Sequence, residues 1–318
     1  VAVSMMGRTA FPDSHPLSLG LVGMHGSYQA AKVQAECDLM LAVGVRFSDR
    51  ATGNISQYTK NCKIIHVDID KAELGKNLSP NYSVQANVKK WMKSILPKVK
   101  ERKNTDWWKE IEGYQVVKNP KKDAFHPKNI LDTVRKFTRD ETVVATDVGQ
   151  HQMWTAQYYR FEKPRTLLTS GGLGTMGYGL GAAIGACLAK GKEETILITS
   201  DGSFSMNCHE LCTAVKEGLP ITIVLLNNQV LGMVRQWQTA FFGERYSATV
   251  LDRGTDFVKL IEAYGGKGFS IHKLSELEKA LEDRKNFTGP VLLDCHIDKD
   301  EKVLPMIPPG KSVEEIIL

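Results

Sequence analysis

Several features are absent from this sequence of 318 residues, and each absence excludes a class of protein. No apolar run approaches the roughly 18 residues that would span a bilayer, so we predict a soluble protein with no membrane partner. Basic residues do not alternate with aromatic ones, which argues against a nucleic-acid partner. There is no low-complexity tract or short internal repeat, so neither a disordered chain nor a repeat protein is predicted.

The cysteines also lack the paired short spacing of a disulfide scaffold. They stand at positions 37, 62, 187, 208, 212 and 295. Cys208 and Cys212 share one face of a predicted helix beside His209, but no second pair follows. We therefore favour buried thiols over a metal cluster. Free thiols are typical of a reducing compartment, which predicts a cytoplasmic protein.

The composition is that of a globular enzyme. Hydrophobic residues make up 42% and charged residues 24%, and a formal charge of +5 comes from 41 basic and 36 acidic residues. Lysine-rich stretches such as 118–122 are typical of a solvated face, and a mildly basic enzyme of anionic substrates fits equally well. The length is about twice that of a typical domain, which predicts two domains.

Apolar runs alternate with amphipathic stretches along the whole chain. This pattern predicts an α/β fold with two doubly wound parallel-sheet domains. The predicted strands span 37–45, 62–69, 142–146, 195–200, 221–227 and 290–297. The predicted helices span 28–36, 127–137, 177–189, 205–217, 255–264 and 274–283.

A charged helical stretch at 88–117 separates the two series of strands and breaks at Asn119-Pro120. We therefore predict a first domain at 1–100, a linker at 101–122 and a second domain at 123–318 that includes a C-terminal tail. The chain starts at Val1 with what looks like a strand already under way and no initiator Met. We expect a fragment whose first domain is truncated at its N-terminus.

Polar side chains follow two predicted strands of the second domain. Asp201 follows the strand at 195–200, and Asn228 follows the strand at 221–227, 27 positions later. Ligands of parallel sheets bind beyond the carboxyl ends of strands. Mg²⁺ prefers hard oxygen ligands, which Asp201, Asn228 and the backbone carbonyl of Val230 would supply.

The turn after the first of these strands suits a phosphate group. Gly202 and Ser203 lie in the turn at the N-terminus of the predicted helix, so their amide hydrogens are expected to point outward, where an anion is stabilised by hydrogen bonds and the helix dipole. Taken alone, Asp-Gly is an ordinary turn and Asn-Asn an ordinary strand-end loop. Both together at this spacing predict a site for a metal ion and a diphosphate.

Residues 200–228 resemble the diphosphate-binding motif of thiamine-diphosphate enzymes, usually written GDG…NN, with Ser200 in place of the first Gly. That replacement affects backbone freedom and leaves the ligand residues intact. Further segments resemble the large catalytic subunit of the acetolactate synthase (acetohydroxyacid synthase) family. They are QVLGMVRQWQTAFFGERY at 229–246, GGLGTMGYG at 171–179, DVGQHQMW at 147–154, GVRFSDRATG at 44–53, HVDIDKAELGKN at 66–77 and LPMIPPG at 304–310.

The resemblance implies roles for residues of the second domain. Gln150 and His151 would contact the diphosphate, and Met233 would hold the cofactor in a bent shape. Trp237 would line the pocket of the second 2-ketoacid, so the resemblance assigns catalysis to Gln150, Met233 and Trp237. A Met and a Trp at helical spacing are also typical of a core. The groups facing the aminopyrimidine would be the backbones of Gly174, Thr175 and Met176.

The first domain resembles the FAD-binding middle domain of the same family. Its glycine-rich stretch GLVGMHG at 20–26 is an incomplete nucleotide fingerprint. Asp68 at a strand end suits a ribose hydroxyl, and a strand-end cap is equally compatible. Arg46 and Arg50 would offset flavin phosphates or a substrate carboxylate, or else pair with Asp49. The residues that would line the flavin are Val22, Gly23, Met24, His25, Gly44, Val45, Arg46, Phe47, Ser48, Asp68, Ile69, Asn87 (where the family usually has Asp) and Val88.

The resemblance also implies an activity and partners. It implies a transferase of branched-chain amino-acid (isoleucine and valine) biosynthesis, which decarboxylates pyruvate and joins the product to pyruvate or 2-ketobutyrate. The implied cofactors are thiamine diphosphate, Mg²⁺ and FAD. A homodimer or homotetramer with the site at a subunit interface is implied, and a small regulatory subunit is a further candidate partner.

Two alternatives stay open at this point. One is a related flavin-containing enzyme, a pyruvate oxidase or glyoxylate carboligase. The other is a non-catalytic cofactor-binding fragment, for which Ser200 and Gly181, where the family usually has Pro, are the departures. In this family the catalytic Glu beside the pyrimidine belongs to an N-terminal domain that precedes these segments. The chain alone is therefore expected to be inactive.

Overall fold

The computed structural model describes residues 1–58, 60, 62–101, 105–114, 119–252 and 254–318. The chain divides into two compact units. Unit 1 comprises Val1–Ser4, Leu19–Lys118 and Leu304–Leu318, and unit 2 comprises Met5–Ser18 and Asn119–Val303.

The C-terminal segment 304–318 belongs to unit 1. The backbone N–H of Ile307 donates to the carbonyl of Met24 (2.8 Å), and that of Asn54 donates to the carbonyl of Lys311 (3.1 Å). The sequence-based domain ranges, which place this tail in the second domain, stay a prediction. The compact units group the tail with the first part of the chain instead. Residues 102–104 and 115–118 of the predicted linker lie outside the described residues.

The strands of unit 1 are short and parallel. They are β1 (Ala2–Val3), β2 (Gly20–Leu21), β3 (Leu39–Val43), β4 (Lys63–Asp68) and β5 (Tyr82–Gln85), paired as β1-β2 and as β3-β4-β5. Its helices are α1 (Tyr28–Glu36), α2 (Asp49–Thr52), α3 (Ile55–Tyr58), α4 (Val88–Ile95) and α5 (Thr105–Gly113). Helix α1 begins after Ser27, whose hydroxyl accepts from the Ala30 N–H at 3.0 Å, as an N-cap does.

Within the described residues, unit 2 is built on a six-stranded parallel sheet in the order β10-β11-β9-β8-β6-β7. The strands are β6 (Val143–Thr146), β7 (Leu167–Leu168), β8 (Thr195–Ser200), β9 (Ile221–Asn227), β10 (Lys267–Ile271) and β11 (Val291–His296). The helices are α6 (Pro127–Lys136), α7 (Gln150–Tyr158), α8 (Tyr178–Ala189), α9 (Asp201–Phe204), α10 (Leu211–Lys216), α11 (Gly232–Phe241), α12 (Phe257–Tyr264) and α13 (Leu274–Asp283).

Both faces of this sheet are covered. Ile196 and Ile198 of β8 pack in one hydrophobic cluster with residues of α6 and α13, whereas Leu197 packs in a second cluster with residues of α8 and α12. Strands buried on both faces read as continuous apolar runs, as 195–200 and 221–227 do. The predicted α/β class with parallel sheets in two domains is confirmed.

The helix predicted at 205–217 is wrong as a single element. Helix α9 begins at Asp201, a 3₁₀ turn follows at Cys208–Glu210, and α10 begins at Leu211. Asn207 has φ −142°, outside the helical range, so the helix is interrupted there, and its side chain donates from Nδ2 to the carbonyl of Gly177 (3.2 Å). In the described ranges, no helix is long and apolar enough to cross a membrane.

Candidate functional site

Polar residues meet at the carboxyl edge of the unit 2 sheet. Asp147 follows β6, Asp201 follows β8, and Asn227 ends β9. In the pairing of β8 with β9, Ser200 lies opposite Leu226, so Asp201 is beside Asn227 and Asn228 is one residue further on. The structure thus brings the predicted metal ligands to one sheet edge, and their ligand role stays a prediction.

The carboxylate of Asp201 is poised for a cation. Asp201 is 5% exposed, and its Oδ1 has no hydrogen-bond partner among the residues that the structure describes. Burial raises the pKa of Asp201 to about 6. A buried carboxylate oxygen without a hydrogen-bond partner is unfavourable, and a bound cation would offset that penalty.

The carboxamide of Asn228 is held by two contacts. Its Oδ1 accepts from the Val230 N–H (3.2 Å), and its Nδ2 donates to Oε1 of Gln150 (3.3 Å). Gln150 in turn donates from Nε2 to Oε1 of Gln236 (3.0 Å) and to the carbonyl of Glu301 (2.8 Å). An amide oxygen has two lone pairs, so the Asn228 oxygen keeps one for a metal ion.

Gly232 is a residue that the sequence interpretation missed. A Cβ built there would lie 1.9 Å from Oε1 of Gln150 and 2.8 Å from Nδ2 of Asn228. The contact between these two amides therefore requires glycine at the start of α11. The signal in the sequence is a glycine four positions after the strand-end Asn228.

The predicted metal ligands border two neighbouring cavities of unit 2. Asp201 lines a cavity of about 110 Å³ together with Asn227 and Gln229. Asn228 and Val230 line a second cavity of about 100 Å³. The other predicted cofactor residues that border this second cavity are Gln150, His151, Met176 and Met233.

The imidazole of His151 is neutral. Burial lowers the pKa of His151 to about 3. Its Nε2 is buried and has no hydrogen-bond partner within the described ranges. A ring N–H of His151 donates to the Asp147 carbonyl, so in the neutral ring the unpartnered Nε2 is a hydrogen-bond acceptor.

The turn at Ser200 differs in one respect from the expectation. The backbone at Ser200 has φ −134°, which any residue adopts, so the replacement of Gly introduces no strain. However, the Ser200 hydroxyl accepts from the Ser203 N–H at 3.4 Å. The prediction of an outward-pointing amide at Ser203 is therefore wrong, because Ser200 acts as an N-cap.

The turn predicted to face the aminopyrimidine is tied to Asp147. The Asp147 Oδ1 accepts from the Gly177 N–H (2.8 Å) and from the Val148 N–H (3.0 Å). Earlier in the turn, Gly174 has φ 63° and the Thr175 N–H donates to the Ser170 hydroxyl (3.0 Å).

No role was predicted for Asp147, although it directly follows a buried strand, as Asp201 does. Its carboxyl is 1% exposed, and burial raises its pKa. The signal in the sequence that could have identified Asp147 is an acidic residue directly after a buried strand.

Met233 and Trp237 share helix α11, as their spacing predicts. Met233 borders the 100 Å³ cavity and also a groove of about 490 Å³. Trp237 lines the same groove with Phe242 and Arg245, and packs edge-to-face on Phe241 with ring centroids 5.5 Å apart. Met233 also packs against the main hydrophobic cluster, so the core interpretation holds for part of its surface.

In unit 1, the predicted flavin residues follow the carboxyl ends of strands. The ranges 22–25 and 44–48 follow β2 and β3, Asp68 and Ile69 stand at the end of β4, and Asn87 and Val88 begin α4. Several of them make local contacts. The Asp68 carboxylate accepts from the Asp70 N–H (2.8 Å), and the Asn87 side chain accepts from the Lys90 N–H (3.3 Å).

Phe47 is a core residue. It is 2% exposed and packs edge-to-face on His66 with centroids 5.1 Å apart. Gly44, by contrast, faces open space, since a Cβ there would meet no atom of the described part within 4 Å. Gly23 and Met24 line a cavity of about 130 Å³ in unit 1 together with Arg50.

Cys208 lies in the 3₁₀ turn before α10, and Cys212 lies in α10. In the described part of the chain there is no group of three or more His, Cys, Asp or Glu side chains that suits a metal ion. The prediction of buried thiols is wrong for Cys212, which is exposed, while Cys208 is half-buried. The reason is that Leu211 and Ala214 occupy the core face of this helix.

Two family descriptions match this sequence. "Thiamine pyrophosphate enzyme, C-terminal TPP binding domain" matches residues 147–295, and "Thiamine pyrophosphate enzyme, central domain" matches residues 1–95. The first range contains the carboxyl edge of the unit 2 sheet, and the second contains the predicted flavin residues.

Individual relatives are similar over the whole chain. The acetolactate synthase large subunit of Porphyra purpurea is 41% identical over 328 residues, which cover 100% of this chain and 55% of the relative. The probable acetolactate synthase large subunit of Methanocaldococcus jannaschii is 40% identical, with 100% and 56% covered. The acetolactate synthase isozyme 3 large subunit of Escherichia coli K12 is 38% identical, with 100% and 58% covered.

The chain spans about half the length of the curated relatives that it matches. The two matched descriptions name successive domains of one kind of enzyme, and together they cover most of the sequence. The similarity to individual relatives runs through both of these domains. The chain therefore belongs to the thiamine pyrophosphate enzymes and is a relative of the acetolactate synthase large subunits.

Proposed function

We propose that this chain is the cofactor-binding part of an acetolactate synthase large subunit, and that it holds the diphosphate of thiamine diphosphate through Mg²⁺. The observation that carries the proposal is the buried carboxylate of Asp201, whose Oδ1 is unsatisfied within the described residues. It lies at the carboxyl edge of a parallel sheet, where ligands bind.

The residues at this edge fit a metal ion with a diphosphate. Asp201, the Asn228 amide oxygen and the Val230 carbonyl are hard oxygen donors of the kind that Mg²⁺ takes. Gln150 and the neutral His151 border the adjacent cavity and would contact the diphosphate. Gly202, in the turn after β8, is a further proposed contact of the diphosphate.

The cofactor, when bound, supplies the carbon nucleophile and the electron sink for decarboxylation of a 2-ketoacid. The protein's contribution is placement and exclusion of water. The Met233 side chain would wedge the cofactor into a reactive conformation. Met233 and Trp237 line the groove of about 490 Å³ with mostly apolar surface, which suits the alkyl chain of a second ketoacid.

Substrates and partners are proposed on the same basis. Pyruvate is the proposed donor, with pyruvate or 2-ketobutyrate as acceptor. An apolar pocket distinguishes one methylene by about 1–3 kcal/mol, so Trp237 is the proposed determinant of the acceptor. A homodimer or homotetramer is proposed, a partner subunit follows from the relatives' description as large subunits, and the cytoplasm is the proposed location.

FAD is proposed as a ligand of unit 1. The open space at Gly44 and the strand ends at Gly23 and Asp68 fit a nucleotide, whereas Phe47 would support the site from the core. Purified chain mixed with FAD should retain flavin absorbance after gel filtration. Loss of all flavin at that step would contradict the proposal.

Calorimetry tests the metal and diphosphate site. We expect thiamine diphosphate to bind in the presence of Mg²⁺ and binding to weaken strongly when the metal is chelated. Asp201→Asn should lower the affinity by about a hundredfold, because it removes the charged ligand of the ion. Asp283→Asn, which changes an exposed carboxylate at the end of α13, is the matched control. Metal-independent binding, or equal affinities of the two variants, would contradict the proposed bridge.

Product analysis tests the activity. The described residues that line the cavity beside Gln150 and His151 do not include a Glu to activate the pyrimidine. We therefore expect no acetolactate from pyruvate when this chain is assayed alone with its cofactors. Acetolactate formation would overturn that expectation, and peroxide with acetyl phosphate would favour the oxidase alternative.

A further inference from the structure

Two thiols are in contact in unit 1. Cys37 is the residue at which α1 ends, and Cys62 directly precedes β4. Their Sγ atoms are 3.4 Å apart, although the residues are 25 positions apart in the sequence. Both cysteines are free and half-buried, so solvent reaches the pair.

The backbone around the pair suits a covalent bridge. Strands β3 and β4 run parallel with Leu39 opposite Lys63, and the Lys63 N–H donates to the Asp38 carbonyl (2.9 Å). The cysteines thus stand at the same end of adjacent strands. Cys62 lies opposite Asp38, one residue after Cys37, so a strand spacing of about 4.8 Å and a rise of about 3.3 Å per residue place the two Cα atoms about 6 Å apart. This distance lies within the Cα separations of about 4.4–6.8 Å that disulfides span. Bond formation needs the sulfur atoms to approach by about 1.4 Å.

We propose that Cys37 and Cys62 form a thiol–disulfide exchange site that takes a low-molecular-weight disulfide, such as oxidised glutathione, as its co-reactant. This proposal does not depend on the binding of thiamine diphosphate. It concerns a side-chain pair at the amino ends of β3 and β4, the opposite end of these strands from the predicted flavin residues.

The exchange proceeds in two steps. The Cys62 thiolate attacks one sulfur of oxidised glutathione, which forms a mixed disulfide and releases one glutathione thiolate. The Cys37 sulfur, having lost its proton to solvent, attacks the Cys62 sulfur and displaces the second glutathione. The protein loses two electrons and two protons, and oxidised glutathione gains them as two glutathione molecules.

Accessibility assigns the first step to Cys62. The contact of its Sγ with the Lys63 carbonyl (3.3 Å) is exposed, whereas the contact of the Cys37 Sγ with the Gln34 carbonyl (3.4 Å) is part-buried. Burial also raises the pKa of both thiols, that of Cys37 to about 12. Thiolate is scarce at neutral pH as a result, so the exchange is slow and needs a long incubation.

The bridge would close the segment that carries α2, α3 and residues 44–48 into a loop. A cross-link of this length removes conformational freedom from the unfolded chain and so stabilises the folded unit. The structure therefore gives unit 1 a second, oxidised form with the same fold and greater stability.

The test is a titration with mixtures of reduced and oxidised glutathione, followed by alkylation and peptide mapping. In the oxidised wild-type chain we expect a Cys37–Cys62 cross-linked peptide that has lost two hydrogen atoms. The melting temperature of unit 1 should rise by about 5 °C on oxidation. Reduction should reverse both changes.

Variants separate the bridge from general thiol oxidation. Cys37→Ser should leave a stable glutathione adduct on Cys62, with no cross-link and no rise in melting temperature. Cys212→Ser, which removes an exposed thiol of unit 2, should retain the cross-link and is the matched control. Melting in reducing buffer checks that each variant is folded. The peptide map of the oxidised wild-type chain decides the proposal even if a variant fails to fold.

The proposal is overturned if wild-type Cys37 and Cys62 both remain open to alkylation under conditions that add glutathione to Cys212. A persistent mixed disulfide on wild-type Cys62 would overturn it equally, because the second thiol would then have failed to attack at its contact distance.

Discussion

The two units present polar residues at the ends of parallel strands, but they hold them in different ways. In unit 2, β8 and β9 are buried almost throughout, and Gln150 contacts Asn228 across 78 positions of sequence. In unit 1, β5 is largely exposed, and Asp68 bonds a residue only two positions away. Asn228 in unit 2 is thus held by a distant partner in addition to a local one, whereas the contact of Asp68 in unit 1 is local.

This comparison has a consequence for binding. Groups held by distant partners are already oriented before a ligand arrives, and preorganisation of this kind lowers the entropy lost on binding. Unit 2 should therefore be sensitive to single changes around its site, and unit 1 should tolerate them.

The largest expected effect is that of Arg8→Ala in unit 2. The Arg8 guanidinium pairs with Asp13 at 2.6 Å, and the two side chains are only 4% and 8% exposed. Removing Arg8 leaves a buried carboxylate without its charge partner, which should lower the free energy of unfolding by about 3–5 kcal/mol. Urea denaturation measures the change.

The matched change in unit 1 is Lys109→Ala. Lys109 and Asp106 are 3.8 Å apart, and their side chains are 77% and 97% exposed. This variant should change the free energy of unfolding by less than about 0.5 kcal/mol. Equal destabilisation by the two variants would break the comparison.

A smaller loss of stability is expected from the substitution of Gly232 in unit 2. Gly232→Ala should destabilise the protein by about 1–3 kcal/mol, because its Cβ would overlap Oε1 of Gln150. It should also weaken thiamine-diphosphate binding, since the Gln150–Asn228 contact is lost.

The matched control for Gly232 is Gly181→Ala within α8, where a Cβ would meet no described atom within 4 Å. That variant should be more stable by about 0.5–1 kcal/mol, since alanine favours a helix. The same sign for both glycine variants would show that the tight packing around Gln150 relaxes at little cost.

The smallest effects concern the carboxylates at the strand ends. The pKa of Asp201 in the folded, metal-free protein is raised to about 6, so ionisation of this group destabilises the fold at higher pH. Asp201→Asn should therefore stabilise the metal-free protein by on the order of 1–2 kcal/mol at pH 8. The gain should shrink as the pH falls through 6 and vanish below the unfolded-state pKa of about 3.9.

The comparison in unit 1 is Asp68→Asn, which keeps an acceptor for the Asp70 N–H and should change stability by less than about 0.5 kcal/mol. Denaturation curves at several pH values compare the two variants. A gain for Asp201→Asn that persisted below pH 4 would mean that burial of the charge is not its cause.

Much of the fold could be predicted because its signals are local. The continuous apolar runs at 195–200 and 221–227 match β8 and β9, and the amphipathic stretches at 28–36 and 274–283 match α1 and α13. These elements could be predicted because their formation depends on local composition, on capping residues and on burial of the sheet faces. Strands β5, β7 and β10 were not predicted, since they are short or partly exposed and carry weak patterns.

The sequence by itself determined the alternation of strands and helices and the placement of Asp201 and Asn228 after adjacent strands, because these follow from periodicity and strand-end chemistry. The tertiary structure alone decided which side chains touch. The need for glycine at position 232, the contact of Cys37 with Cys62 and the grouping of the C-terminal segment with unit 1 all depend on residues that are far apart in the chain. Such contacts are set by packing and leave no local pattern from which to predict them.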